Sequence, residues 1–387
     1  MPSELNSTPR GMRVNIGVFG NVNAGKSTFV NAVTGRSTAI TSPVAGTTTD
    51  PVYKTMELLP IGPVVFIDTA GLDDETVLGE KRMEKTGEVM KSCDMAVFVL
   101  SEGDTIPDER PKNVPVLIVE NLRNNEPYSE DYTENIPKIR LNLLSENAGD
   151  ILRNAIIKAY GNPADLSPEL TGDLVKSGDI ALLVAPQDIQ APKGRLILPE
   201  VQTIRDLLDN KCIVMMTSAD RLEAALNGLS RLPDLVVTDS QVFAQVDKTL
   251  PKTVPLTSFS LLMAKIKGDL PKLIAGAETI SRLENGDKVL IVESCTHHPM
   301  DGDIAREKLP KLLRKFTGKE LVIDVISGCP DPQTLSGYKL AIHCGGCMLN
   351  RRAMLSRQAD FENAGVPLTN FGAAIAYMNG MLDRVCY

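Results

Sequence analysis

The chain has no tryptophan, only seven tyrosines and nine phenylalanines, and more acidic than basic side chains. Aromatic platforms on which single-stranded nucleic acid stacks are therefore scarce. The formal charge of -8 and the pI near 5.2 provide no basic field that would hold a polyanion. These absences argue against nucleic acid and anionic lipid as partners.

Long apolar runs are also absent. No stretch approaches the roughly 18 residues that a membrane span needs, and the N-terminal segment MPSELNSTPRGM lacks an apolar signal core. The seven cysteines are an odd number, and stable disulfides are uncommon in a reducing compartment. We expect a soluble cytoplasmic protein without membrane contact, whose cysteines bind metal rather than pair.

Strand-like apolar runs alternate with helix-length stretches along 387 residues, a length that exceeds one hydrophobic core. From about 13 to 160 this alternation predicts a parallel sheet covered by helices. A polar stretch with Pro163 and Pro168 then predicts a linker, and no repeat period is apparent beyond it. The predicted fold class is α/β: an N-terminal P-loop domain with a parallel sheet (1–165), followed by two smaller α/β domains (172–262 and 263–387).

The segment GNVNAGKS, from Gly20 to Ser27, follows an apolar strand and precedes a helix, which is the context of a phosphate-binding loop. The glycines let backbone N–H groups converge on phosphate oxygens, Lys26 bridges the outer phosphates and Ser27 ligates magnesium. The alternative is an ordinary glycine turn. The loop residues predicted to bind the nucleotide are Gly20, Asn21, Asn23, Ala24, Gly25, Lys26, Ser27 and Thr28.

Two further segments complete the predicted nucleotide site. The segment DTAG closes a strand, so that Asp68 can reach the magnesium shell while the Gly71 amide faces the terminal phosphate. Between it and the loop lies GTTTD, in which Thr48 is preferred over Thr47 for closing on magnesium and phosphate. The predicted catalytic residues are Lys26, Thr48, Asp68 and Gly71, and the predicted magnesium ligands are Ser27, Thr48 and Asp68.

All three histidines lie beside cysteines in the last quarter of the chain, in the segments Cys295-Thr296-His297-His298 and His343-Cys344-Gly345-Gly346-Cys347. Cys295 and Cys344 follow strands whose carboxyl ends would share one crevice, and Cys347 is predicted to open a helix. Three thiolates suit a 4Fe-4S cluster with one exchangeable iron, completed by His297, His343, a carboxylate or water. Zinc bound by cysteine and histidine, or core packing without metal, are the alternatives.

The motifs GNVNAGKST, GTTTD and DTAGL resemble the TrmE and Era group of GTPases over about residues 13–120. The resemblance implies GTP as the nucleotide, a potassium ion held by Asn23, and slow hydrolysis with Leu72 in place of a water-positioning glutamine. The guanine motif Asn-Lys-x-Asp of this group is altered here to Asn121-Leu122-Arg123-Asn124. Asn121 and Asn124 are the candidate base-binding residues, and the change weakens the expected preference for guanine.

The nucleotide-binding motifs and the cysteine and histidine segments occur together with phrases such as VVTDSQVF, LTSFSLLMAKIKGDL and YKLAIHCGGCMLNRRAMLSR. In this combination the whole chain resembles the HydF family of FeFe-hydrogenase maturation GTPases. The resemblance implies a homodimer or larger assembly with a middle dimerisation domain and a C-terminal cluster domain. It implies Cys295, Cys344 and Cys347 as ligands of a 4Fe-4S cluster. The implied partners are radical-SAM maturases, which build a transient di-iron precursor, and apo FeFe-hydrogenase, which receives it.

Two other functions compete with this interpretation. A tRNA- or ribosome-associated GTPase with a zinc-stabilised C-terminal domain would also combine a phosphate loop with cysteines, although the acidic balance argues against it. An iron-sulphur redox protein with a vestigial nucleotide fold is the other. Potassium-dependent release of phosphate from GTP would count against the redox protein.

Overall fold

The chain folds into two compact units, Met1–Leu166 and Ser167–Tyr387. The computed structural model describes residues 11, 13–35, 51–72, 79–123, 126–162, 168–186, 196–294, 303–346 and 348–387, with the backbone alone for 79–82. The boundary between the units lies inside the polar stretch that the sequence predicts as a linker.

The described part of the first unit is a sheet covered by helices. Its strands are β1 (Val14–Phe19), β2 (Val52–Leu58), β3 (Gly62–Asp68), β4 (Met95–Ser101), β5 (Val116–Asn121), β6 (Ser129–Thr133) and β7 (Ile136–Leu141). Its helices are α1 (Lys26–Thr34), α2 (Gly79–Ser92) and α3 (Ala148–Tyr160). The strand order is β2-β3-β1-β4-β5-β7-β6, with β2 and β6 antiparallel to their neighbours and the other pairs parallel.

The central strands of this sheet are apolar because helices cover both faces of the sheet. The run in β4 is buried along its length except at its last residue, because a parallel strand between helical layers has no polar face. Phe29 of α1 and Leu152 of α3 belong to the same buried cluster as Val97 and Val99 of β4. The predicted fold class, an N-terminal P-loop domain with a parallel sheet and further α/β domains, is confirmed.

The described part of the second unit contains two four-stranded parallel sheets. The first has β8 (Ile180–Ala185), β9 (Ile213–Ser218), β10 (Leu235–Thr238) and β11 (Leu256–Ser258), in the order β11-β10-β8-β9. The second has β12 (Lys288–Glu293), β13 (Val322–Ser327), β14 (Leu340–His343) and β15 (Leu368–Asn370), in the order β13-β12-β14-β15.

Helices pack around these two sheets. They are α4 (Leu198–Asp209), α5 (Leu222–Asn227), α6 (Phe243–Thr249), α7 (Phe259–Lys267), α8 (Leu270–Glu278), α9 (Leu309–Thr317), α10 (Arg351–Asn363) and α11 (Phe371–Met378), with a π-helical turn at Ile304–Lys308 and 3-10 turns at Ala219–Arg221, Thr279–Arg282, Pro332–Gly337 and Leu382–Arg384. One buried apolar cluster contains Leu182 and Val236 of the first sheet together with Leu290 and Ala341 of the second. The two sheets therefore share a core.

One predicted boundary is wrong. The helix expected to open at Cys347 begins at Arg351, with the Asn350 side chain accepting a hydrogen bond from the Ala353 N–H at its N-cap. Asn350 is a strong capping residue, and it sets the start of the helix. Among the described helices, none is long and apolar enough to cross a membrane.

Candidate nucleotide and metal sites

The phosphate-binding loop joins β1 to α1 through left-handed backbone conformations. Asn23 has φ of 63° and Gly25 has φ of 105°. A Cβ atom on Gly25 would lie 2.6 Å from the Asn121 side-chain nitrogen, so only glycine fits there. Among the described residues, no side chain caps the first turn of α1. The N-terminus of a helix favours an anion through its N–H groups and its dipole.

Lys26 is placed over this loop. Its side chain is buried, and Nζ donates hydrogen bonds to the carbonyl oxygens of Gly20 at 3.0 Å and Asn21 at 2.8 Å. Ala24 is fully buried below the loop, whereas Asn23 and Ser27 face solvent. The ammonium group is thus held at the mouth of the loop, where the outer phosphates of a nucleotide would meet it.

Two of the three predicted magnesium ligands, Ser27 and Asp68, are in contact. Ser27 Oγ donates to Asp68 Oδ2 at 2.6 Å, and Asp68 at the end of β3 pairs with Val18 of β1. Burial raises the pKa of the Asp68 carboxyl, although Ser27, Lys26 and Lys54 act in the opposite direction. A carboxylate and a hydroxyl in contact are a suitable pair of oxygen ligands for a hydrated magnesium ion. Thr48, the third predicted ligand, lies outside the described residues.

The DTAGL segment is tied to the phosphate loop. The Leu72 N–H donates to the Gly20 carbonyl at 3.2 Å, and Thr69 Oγ1 donates to the Val18 carbonyl at 2.8 Å. Gly71 is buried between these two contacts. The segment following Asp68 is therefore in direct contact with the loop.

On the base side, Asn121 links two segments. Its Nδ2 donates to the Ala24 carbonyl at 3.2 Å, and its Oδ1 accepts from the Leu143 N–H at 3.4 Å. Leu122 is only 2% exposed, so it is part of the core and does not replace a lysine stem over a base. Asn124 lies outside the described residues. Thr28 and Leu143 line a neighbouring cavity of about 750 Å³.

In the second unit, Cys344 lies at the carboxyl end of β14, beside the end of β12. Its Sγ accepts a hydrogen bond from the Ser294 N–H at 3.2 Å and lies 3.3 Å from the Ser294 hydroxyl. Burial opposes ionisation of this thiol, but His343, the Ser294 hydroxyl and the Gly346 N–H outweigh it and lower its pKa. A half-buried thiol that favours the thiolate is suited to binding a metal.

His343 is fully engaged in this structure. Its Nε2 lies 3.0 Å from Arg357 Nη1, and its Nδ1 lies 2.6 Å from the Cys344 carbonyl oxygen. Because a guanidinium can only donate, Nε2 accepts and Nδ1 carries the hydrogen. For His343 to serve as the labile ligand, Arg357 would have to leave.

The other predicted metal-binding residues, Cys295, His297 and Cys347, lie outside the described residues. Within the described ranges, no group of three or more histidine, cysteine or acidic side chains is placed to hold a metal ion. Their described neighbours nevertheless meet at one edge. Ser294 contacts the Cys344 thiol, and Gly346 donates its N–H toward the same sulphur.

A reciprocal contact fixes the loop after Cys344 against α7. The buried Lys267 Nζ donates to the carbonyls of Gly346 at 2.8 Å and Leu349 at 3.0 Å. In return, Arg351 Nη1 donates to the carbonyls at the end of α7, most closely to Ile266 at 2.8 Å. We call this pair of residues, Lys267 and Arg351, the loop clamp. The sequence analysis missed the clamp: both residues lie in the phrases LTSFSLLMAKIKGDL and YKLAIHCGGCMLNRRAMLSR, but no local pattern indicates that the two segments meet.

We expect Lys267→Met to loosen this loop. The change leaves two buried carbonyls without their charged donor, and each such bond contributes about 1.5–3 kcal/mol. A net loss of about 3 kcal/mol would lower the thermal midpoint of the metal-free protein by roughly 6–12 °C for a unit of this size. Scanning calorimetry measures the shift.

Two variants serve as controls for the clamp. Lys267→Arg keeps a cation and should recover much of the loss. Lys272→Met removes an exposed lysine that pairs with Glu362, and such surface pairs contribute about 0–1 kcal/mol. Equal midpoints for Lys267→Met and Lys272→Met would contradict the clamp.

Cys344 opens into a cavity of about 500 Å³ that both sheets of the second unit help to line. The charged side chains that line it include Lys267 and the buried Glu293. Glu293 forms an ion pair with Arg306 at 2.6 Å. Apolar side chains such as Phe259 and Phe371 form much of the remainder. A cavity of this size beside a thiol with a lowered pKa has room for a metal cluster together with a further group.

Comparison with known protein families gives two matches in this unit. A model described as the hydrogen maturase F dimerization domain matches residues 170–268, and one described as the hydrogen maturase F tetramerization domain matches residues 271–387. Together they cover more than half of the chain. The chain belongs to the HydF family. Its membership confirms the resemblance found in the sequence.

The N-terminal part of this HydF-family chain matches a model described as 50S ribosome-binding GTPase over residues 15–128. The tRNA modification GTPase MnmE of Herminiimonas arsenicoxydans is 40% identical over 119 residues, which are 28% of this chain and 25% of that protein. GTPase Der of Wolinella succinogenes is 30% identical over 182 residues, covering 41% of this chain and 38% of that protein. The chain thus spans about a quarter to two fifths of these relatives.

Among solved structures, Era of Aquifex aeolicus bound to GDP and aluminium fluoride is 18% identical to this HydF-family chain. The likeness covers 83% of this chain and 96% of that one, with a TM-score of 0.25. The fold of the first unit is established by its own sheet order and phosphate loop.

Proposed function

We propose that this chain is a GTP-binding and GTP-hydrolysing carrier that holds a 4Fe-4S cluster and delivers a di-iron precursor to apo FeFe-hydrogenase in the cytoplasm. The observation that carries the proposal is the position of Cys344, whose sulphur accepts a hydrogen bond from the Ser294 N–H and lines a cavity of about 500 Å³. The same chain has a phosphate-binding loop and belongs to the HydF family. A carrier needs both a holding site and a control element.

The residues at the edge of the second sheet fit a cluster. Cys344 with its hydrogen-bonded sulphur would be one ligand, and Cys295 and Cys347 are the proposed others. When bound, the cluster supplies an iron whose fourth position can exchange ligands. Ser294 donates to the Cys344 sulphur, and such hydrogen bonds tune cluster potentials. The loop clamp would hold the segment that leads to Cys347 in place.

In the first unit, Lys26 and the N–H groups at the start of α1 would bind phosphates, and Ser27 with Asp68 would bind magnesium. The proposed potassium site at Asn23 takes support from the exposed, left-handed position of that residue in the loop. Hydrolysis would be slow, because Leu72 cannot orient a water molecule. The nucleotide state would then bias the segments that contain Thr48 and Asp68, and so change how maturases and hydrogenase dock.

One experiment tests the carrier function directly. The full chain is reconstituted with iron and sulphide without oxygen, desalted, and mixed with a synthetic di-iron dithiolate complex and apo-hydrogenase. We expect a broad visible absorption band, paramagnetic resonance signals of a reduced 4Fe-4S cluster, and recovery of hydrogenase activity. A colourless protein that binds only zinc, or a cluster-loaded protein that activates no hydrogenase, would overturn the proposal.

The altered base loop predicts weak guanine recognition. Asn124→Asp restores an acceptor pair for the two donors of guanine, so affinity for GTP should rise by about tenfold, the effect of one charge-assisted hydrogen bond. Calorimetric titration with GTP and with ATP measures it. Asn113→Asp, an exposed change in the same unit, is the control. An equal gain for ATP would show that the new charge acts without reading the base.

The edge strand β9 is the proposed dimer surface. Ile213 is 55% exposed and Met216 is 37% exposed on this edge, which pairs with no further strand among the described residues and lies in the part of the chain that matches the dimerization model. Replacing both with lysine should convert the dimer to a monomer in light scattering. Val322→Lys, on the edge strand β13 of the other sheet, should leave at least the dimer. A dimer that survives both lysines would place the interface elsewhere.

A further inference from the structure

The two sheets of the second unit have the same topology. Read from the last strand of each, the orders are β11-β10-β8-β9 and β15-β14-β12-β13, and every pair is parallel. In each sheet the strands follow one another along the chain in the same sequence of positions. A repeat that is not apparent by eye in the sequence is therefore present in the structure.

The register repeats as well. In the first sheet Thr238 pairs with Val184 and Ser258, and in the second His343 pairs with Val292 and Asn370. The next residue continues the match: the Asp239 N–H donates to the Val184 carbonyl, and the Cys344 N–H donates to the Val292 carbonyl. Asp239 thus occupies the position in the first sheet that Cys344 occupies in the second.

The sequence carries the repeat most clearly around the last strand of each sheet. Residues 254–264 read VPLTSFSLLMA and residues 366–376 read VPLTNFGAAIA. Both segments form a short buried strand, then a helix whose N-cap side chain, Ser258 or Asn370, accepts a hydrogen bond from the third residue beyond it. We call the two halves the first repeat and the second repeat.

Equivalent positions of the two repeats line the same cavity. The turn 239–241 after β10 and the turn 344–346 after β14 both face it. On the helices that follow the last strands, the lining residues are Phe259, Ser260 and Met263 in the first repeat and Phe371, Gly372 and Ile375 in the second. The cavity therefore lies at the junction of two related halves.

The halves touch at a matched pair of residues. A Cβ atom on Gly372 would lie 2.4 Å from Ser260 Oγ, so the second repeat needs glycine where the first has serine. Ser260 Oγ in turn shares a hydrogen bond of 2.5 Å with Ser240 Oγ. At the two equivalent turns, the first repeat thus presents the oxygens of Asp239 and Ser240 to the cavity, where the second presents the thiol of Cys344 and two glycines. The carboxylates of the second repeat, Glu293 and Asp303, line the cavity away from this turn.

We propose that the first repeat is the second half of the carrier site, and that Asp239 and Ser240 contact the di-iron cargo while the second repeat holds the cluster. This inference rests on the proposed carrier function and names its cargo-binding residues. Thiolates suit the permanent cluster, whereas oxygen groups are weaker ligands and hydrogen-bond partners for iron complexes. Weakly binding side chains suit a di-iron complex that must be released again.

The test uses the full chain with its cluster reconstituted. Asp239→Asn and Ser240→Ala are each mixed with a synthetic di-iron dithiolate complex and desalted, and iron and sulphide are counted before and after. Both variants should keep the cluster iron and its paramagnetic resonance signal. Their affinity for the complex should fall about tenfold or more, as for loss of one charge-assisted hydrogen bond. Asp220→Asn, an exposed change at the end of β9, should bind as the unchanged chain does.

Three results would overturn the inference. The variants could bind the complex as tightly as the unchanged chain, or they could lose the cluster along with the complex, which would assign both side chains to the cluster. The unchanged chain could also retain cluster but no complex, in which case the carrier function itself fails. Ser240→Ala keeps the test decisive if Asp239→Asn does not fold, since it removes only one oxygen atom.

Discussion

Replacing Cys344 with alanine should abolish cluster binding in the reconstituted protein. Among the proposed thiolate ligands, this thiol is the one that the structure describes, at the edge where β12 and β14 end, and its sulphur accepts a hydrogen bond from the Ser294 N–H. With one of three proposed thiolates gone, no closed set of sulphur ligands is left to hold iron. We expect visible absorption and bound iron to fall to near zero, and hydrogenase activation to be lost with them.

The matched control for this variant is Cys329→Ala. Cys329 is an exposed thiol that follows β13, the strand beside β12, so it tests whether any nearby cysteine suffices. It should retain its cluster in full. GTP hydrolysis should be unchanged in both variants, because the phosphate loop belongs to the other unit. Retention of a normal cluster by Cys344→Ala would contradict the assignment of Cys344 as a cluster ligand.

The second large effect is expected for Lys26→Ala. The ammonium is buried at the mouth of the phosphate loop, and in the transition state it would neutralise charge that develops on the outer phosphates. Removing one preorganised donor of this kind lowers kcat by about 10²–10³. Phosphate release from GTP in the presence of potassium and magnesium measures the loss.

A surface lysine provides the control. Lys91 is exposed near the end of α2, and Lys91→Ala should hydrolyse GTP at the unchanged rate. Lys26→Ala should also mature hydrogenase poorly, since docking of partners is proposed to follow the nucleotide state. If Lys26→Ala kept its cluster and matured hydrogenase fully, delivery of the precursor would not depend on GTP hydrolysis. That result would contradict the proposed link between nucleotide state and docking.

The strands that the sequence predicts best are those buried on both faces. In β1 and β4 nearly every side chain is apolar, because helices cover both faces of the sheet, and the pattern is legible without a structure. The edge strands β2 and β6 were not predicted. Their sequences, VYKTMEL and SEDYT, are largely exposed and carry no continuous apolar run. Their pairing is decided by neighbouring strands.

The repeat in the second unit can be detected in part from the sequence. The segments VPLTSFS and VPLTNFG share five of their seven letters in order, and a search for such pairs would have found them. The remaining strands share little beyond aliphatic character, because any branched apolar side chain fills a buried strand. Register, which backbone hydrogen bonds fix, preserves the relationship after the letters have diverged.

The sequence by itself determined the fold class and the family, because the phosphate loop and the cysteine phrases are encoded in short consecutive stretches. Only the tertiary structure decided what surrounds them. Lys267 reaches the Gly346 carbonyl across 79 positions of sequence, and Arg357 fixes the protonated nitrogen of His343 from another element. The contact of Ser260 with the site of Gly372 likewise depends on two helices meeting at a cavity. Such contacts follow from the packing of distant segments, which no local pattern encodes.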